Sequence, residues 1–89
     1  MNIDLLIKMA NQISSFFATE SAAGKAPTDV AAHLKRYWDP RMREQMVTYF
    51  HERQGSGLDD IARGAVGLLA AESAAKAARE PGKAPAKAP

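Results

Sequence analysis

Apolar side chains recur at three- and four-residue steps along most of this chain and divide it into four amphipathic segments, the pattern of an all-helical domain with four helices. The first segment runs over residues 3–19, with Ile3, Leu6, Ile7, Ala10, Ile13 and Phe17 on one face. Leu5, Met9 and Phe16 fall on an adjoining sector, so the apolar surface spans roughly 200°, about twice what a surface helix needs. Two explanations stand side by side: this helix is central and buried on two sides, or Leu5, Met9 and Phe16 meet another protein.

Residues 20–27 form a loop by composition, punctuated by Gly24 and Pro27. Thr28 is a suitable cap for a second helix, with Asp29 favouring its dipole and Val30, Leu34, Tyr37 and Trp38 on its apolar side. A third helix over residues 40–54 turns Met42, Met46, Tyr49 and Phe50 inward and Arg41, Gln45, Thr48 and Glu52 outward. Gly55-Ser56-Gly57 is the clearest break in the chain. A fourth helix begins at Leu58 or Asp59 and reaches the late seventies, with Leu58, Ile61, Ala65, Leu68 and Leu69 on one face. Gly64 and Gly67 each weaken it by about 0.8–1 kcal/mol relative to alanine, so they permit close approach or soften the helix.

The joint between the second and third helices carries the densest chemistry. Pro40 disfavours α conformation at Asp39 yet suits a first helical position, and aspartate suits the cap before it, so one helix ends at Trp38 and the next begins at Pro40. Lys35 and Arg36 lie in a last turn, where the dipole welcomes cations; Arg41 and Arg43 lie in a first turn, where each is disfavoured by about 0.3–1 kcal/mol. A departure of this kind without local gain points to a task elsewhere. Arg43 also lies over Val47 and Phe50, where a guanidinium covers apolar surface and still reaches a carboxylate.

Composition narrows the function. The 89 residues allow one small domain, placed at residues 1–75, followed by a frayed helix end and a disordered Pro/Ala/Lys tail at 76–89 that holds no large apolar group. There is no cysteine, hence no disulfide framework or thiolate metal site. A net charge of +2 is thin support for nucleic acid, no apolar run can span a bilayer, and the N-terminal residues lack a basic leader, so a cytoplasmic protein is expected. His33 and His51 stand on different helices without a metal-ligand spacing, Asp59-Asp60 suits a helix start, and Gly55 and Gly57 lack the lysine and strand of a phosphate loop. No catalytic residue, cofactor site or metal site is therefore expected.

Two binding readings remain. The cations with Tyr37 and Trp38 have the residue types of a small basic nucleic-acid-binding regulator, but Asp39 interrupts them and the joint is shorter than a helix-turn-helix turn. Trp, Tyr and Arg are equally the types that dominate protein interfaces, and Met adds adaptable surface. The expected partner-binding residues are Arg36, Tyr37, Trp38, Arg41, Arg43, Leu5, Met9 and Phe16, with the Trp38 ring also able to serve as the plug of the bundle corner.

The run His33-Leu34-Lys35-Arg36-Tyr37-Trp38-Asp39-Pro40-Arg41-Met42-Arg43, with Met9-Ala10-Asn11-Gln12-Ile13 and Phe16-Phe17 before it and Gly57-Leu58-Asp59 after it, resembles the small delta subunit of soluble NAD-dependent formate dehydrogenases. The resemblance covers roughly residues 5–70. It implies a non-catalytic accessory subunit whose partners are the catalytic subunits of a molybdenum or tungsten enzyme that oxidises formate to carbon dioxide. Molybdopterin, iron–sulfur clusters, flavin and NAD would all be held on those other subunits, with this one supporting assembly, stability or cofactor insertion. Self-association of the isolated chain is left open.

Overall fold

Asn2 starts the first helix: its side-chain Oδ1 accepts from the Asp4 backbone N–H at 2.7 Å, satisfying a donor that helix geometry leaves over. In the computed structural model, which describes residues 2–79 and side chains as far as residue 75, four helices follow in order: α1 Ile3–Glu20, α2 Ala26–Tyr37, α3 Pro40–Arg53 and α4 Asp60–Arg79. Among the described residues there is no strand. The alanine-rich run expected to fray is helical to Arg79, and the expected tail at residues 80–89 lies outside the described residues.

The core is drawn from every helix: Leu6 and Ala10, then Val30, Ala31, Leu34 and Trp38, then Met46, then Leu58 with Ala62, Ala65, Val66 and Leu69. Helix α4 packs against all three others and most extensively against α2. These two run parallel: Gly64 lies beside Pro27, and eight residues further along both helices Lys35 pairs with Glu72 at 3.0 Å. Helix α3 runs antiparallel to α4, bringing Phe50 to Gly67 and Gly55 to Arg63, and α1 runs antiparallel to α2, bringing Phe17 to His33 and Ser21 to Asp29.

Several expectations are corrected by this arrangement. Helix α4, not α1, is the central element; on α1 the fully buried row is Leu6, Ala10 and Ser14, while Leu5 and Phe16 face outward. Helix α2 begins at Ala26, ahead of the expected cap Thr28, because Pro27 is at home in a first turn where its missing N–H is not needed. Leu68 is exposed, and Ala62, Val66 and Ala70 are buried instead. The reason is phase: Leu58 precedes the helix, so counting the periodicity from it rotates the stripe by about one residue.

The glycine break behaves as its composition requires. Gln54, Gly55 and Gly57 all have positive φ, and Gly55 is wedged against Arg63, Leu58 and Phe50 where a Cβ would stand 3.1 Å from the Arg63 Cγ. Gly64 and Gly67 are less demanding, since a Cβ there would meet Pro27 and Phe50 at 3.4 and 3.5 Å, ordinary contact distances.

Candidate docking surface

The Asp39-Pro40 joint fixes which way its neighbours face. Asp39 caps α3 by accepting from the Arg41 and Met42 N–H groups at 2.8 and 3.1 Å, and Trp38 is extended at φ −85° and ψ 140°. That single change of direction parts two adjacent aromatics. Trp38 turns inward and is 5% exposed, whereas Tyr37, the last residue of α2, is 66% exposed. Tyr37 therefore leaves the apolar face expected of it. Of the expected contact residues, Trp38 is the one whose ring the free chain already buries; it plugs the corner of the core.

Tyr37 ends a row of rings that crosses from α2 to α1. Its ring centroid lies 4.6 Å from His33, His33 lies 5.7 Å from Phe17, and Phe17 lies 5.1 Å edge-on from Phe16, itself 59% exposed. Arg36 completes the row, with its guanidinium carbon 5.6 Å from the Tyr37 centroid. Pairs of this kind are worth about 0.5–1.5 kcal/mol each beyond their buried area, and an exposed cation–π contact about 0.5–1 kcal/mol. The structure thus brings three expected residues, Phe16, Arg36 and Tyr37, onto one aromatic and cationic strip. It adds Phe17, expected only in the core, and His33, considered above only as a metal ligand. Leu5 and Met9 lie on the same side of α1 as Phe16 by helical phase; Leu5 is 45% exposed, while Met9 is half-buried against the core.

Arg41 and Arg43 are not part of this strip. Arg41 is exposed and lines a shallow groove with Ile3, Thr48 and Glu52. Arg43 lines a different groove, between α3 and α4, together with Lys35, Val47 and Leu69. Its Nε is buried with no hydrogen-bond partner, and among the described residues no carboxylate pairs with its guanidinium. Such an orphaned donor costs about 1–3 kcal/mol, on top of the adverse helix dipole. Of the four cations clustered in sequence, Lys35 pairs with Glu72 and shares the α3–α4 groove with Arg43, Arg36 lies over Tyr37, and Arg41 lines the other groove.

A second cluster escaped the sequence reading. Asn11 donates from Nδ2 to the Gly57 carbonyl and accepts the Asp59 N–H on Oδ1, each at 2.9 Å. Ser14, 1% exposed, donates to Asp59 Oδ1 at 2.7 Å, and the same oxygen accepts the Ala62 N–H at 2.8 Å as the cap of α4. Asn11, Gly57 and Asp59 stand in the very segments that carried the family resemblance, and all three are occupied in clasping α1 to the start of α4. The signal was available in Ser14, a polar residue four places beyond Ala10 on the buried row. Among the described residues no group of three or more His, Asp or Glu side chains is placed to hold a metal ion, and no helix is long and apolar enough to cross a membrane.

Comparison with known proteins agrees with the resemblance. Residues 5–66 match the family model for the NADH-dependent formate dehydrogenase delta subunit FdsD, a segment that includes the clasp, the aromatic strip and the Asp39-Pro40 joint. No curated protein and no solved structure gives a significant match.

Proposed function

Because this chain belongs to the FdsD family of NADH-dependent formate dehydrogenase delta subunits, we propose that it is a non-catalytic accessory subunit that docks on the catalytic subunits of that enzyme in the cytoplasm. It supports their assembly, their stability or the insertion of their cofactors, and it holds no cofactor itself. The observation that carries this reading is the strip from Phe16 to Tyr37, with Arg36 lying over its end. Two large rings left exposed on a chain of this size, bridged by half-buried rings and ending in an arginine, have the composition of an interface hot spot. Folding alone gives no reason to leave Phe16 in water.

The test is capture by the tagged catalytic subunit, before and after cofactor loading. Wild-type chain should co-purify, and Phe16→Ala/Tyr37→Ala should weaken association at least tenfold while keeping its helical signal. Undiminished capture of the double variant would remove the strip from the interface. Failure of the wild-type chain to associate in either state would remove the accessory role.

A further inference from the structure

The groove between α3 and α4, about 970 Å³, is lined by Arg43, whose Nε is the one buried side-chain polar atom without a hydrogen-bond partner among the described residues. Its apolar lining includes Val47, Leu69 and Ala70, and Arg43 reaches into it. The acids around Arg43 are engaged elsewhere or turned away. Asp39 Oδ1 accepts two backbone N–H groups, and Glu72 pairs with Lys35 across the groove. Glu44 also lines the groove, but neighbours one residue apart on a helix do not face each other. Arg43 is left with a buried Nε that has no acceptor, in a first turn whose dipole opposes it. An arginine fork beside an apolar floor is complementary to a carboxylate flanked by small apolar groups.

We infer that this groove is a second docking site for the catalytic subunits, and that it takes a segment in which an Asp or Glu, bound by the Arg43 guanidinium, is flanked by apolar residues resting on Val47 and Leu69. The inference rests on the accessory-subunit reading and adds to it the chemistry of the partner. It also goes past the family match, because the α4 wall from Leu69 onward lies beyond residue 66. Residues 80–89 are a poorer complement: they offer one acid, Glu80, but it stands beside Arg79 and is followed by Lys83 and Lys87, which would meet Lys35 and His51 at the groove.

The test uses the full chain with Ser73, exposed on the α4 wall of this groove, replaced by the photo-crosslinker p-benzoylphenylalanine, mixed with the purified catalytic subunits. Crosslinking followed by peptide sequencing should identify a catalytic-subunit segment containing Asp or Glu. Arg43→Gln should lower crosslink yield and affinity at least tenfold while its melt stays level or rises by several degrees, since the orphaned donor and the adverse dipole contact go together, and Arg43→Lys should recover part of the loss. Crosslinks only to residues 80–89, to a second copy or to a segment without an acid would overturn the inference. So would an Arg43→Gln variant that melts several degrees lower yet binds normally. If the complex forms and the crosslinker at Ser73 captures nothing, the groove is excluded while the accessory role stands; if no complex forms, both fall.

Discussion

The clasp at Asp59 and the strip at Tyr37 both tie α1 to another part of the chain, and they do so with opposite chemistry. In the clasp, Asn11, Ser14 and Asp59 satisfy one another and the loop backbone within 2.7–2.9 Å, and Ser14 is sealed from water. In the strip, rings touch at their edges, their outer faces stay wet, and the arginine at the end has a ring rather than a carboxylate for company. A region whose groups are all used internally has a reason to exist in the folded chain alone. A region left half-used has its reason outside. The contrast separates what these residues do for the fold from what they do for the enzyme.

The contrast breaks first at Trp38, the ring on the inner side of the same corner. Trp38→Ala should destabilise the chain by about 3–5 kcal/mol, close to the whole stability of a domain this small, and chemical denaturation of the variant will read it. A Trp38 variant that folds normally and only loses its partner would put the ring at the interface after all. Next comes the clasp. Asp59→Ala removes both the α4 cap and the acceptor for buried Ser14, so a loss of about 2–3 kcal/mol is expected, against about 1 kcal/mol for Ser14→Ala, where the cap survives. Equal losses from the two would mean that the cap contributes nothing.

Phe16→Ala sharpens the comparison from the other side. It should give up only the edge contact with Phe17, about 0.5–1.5 kcal/mol, and stay folded, although capture by the catalytic subunits falls. Smaller still, and opposite in sign, Gly67→Ala should raise stability by up to about 0.8 kcal/mol, because the helix gains propensity and Phe50 leaves room for a methyl group. A drop in its melting temperature would show that Phe50 cannot accommodate the change. Last, Glu72→Gln, which breaks an ion pair exposed on both sides, should shift stability by under about 0.5 kcal/mol.

Much of this was legible in the sequence, because helix periodicity and the Asp-Pro boundary are local signals. The start of α1, the start of α3 with its cap at Asp39, and the break at 55–57 follow from residue chemistry over a few positions. What was not legible is relational. That Tyr37 faces out while Trp38 faces in depends on an extended Trp38, a torsion that periodicity carried through from α2 does not anticipate. The exchange of Leu68 for Ala62 and Val66 depends on where α4 begins, and a phase error of one residue moves a leucine from core to surface. Arg43 without a carboxylate, and Phe17 and His33 joining Phe16 to Tyr37, depend on which helices become neighbours. Asn11, Gly57 and Asp59 marked the family correctly, but only their geometry says that they clasp rather than bind.

The joint at Trp38 and Asp39 has one further consequence, for where the chain tolerates added length. The last residue of one helix and the cap of the next are separated by a single residue, so this corner has no slack. One extra residue there would let α3 swing, drawing either Trp38 or Met42 away from the centre while leaving every helix intact in isolation. The 22–25 connection is the opposite case: Ala22 and Ala23 are exposed and the space beside them is open, although the φ of +79° keeps position 24 itself for glycine. A fluorophore, affinity tag or short insertion placed there should leave the bundle undisturbed, whereas the same addition between Trp38 and Asp39 should unfold it.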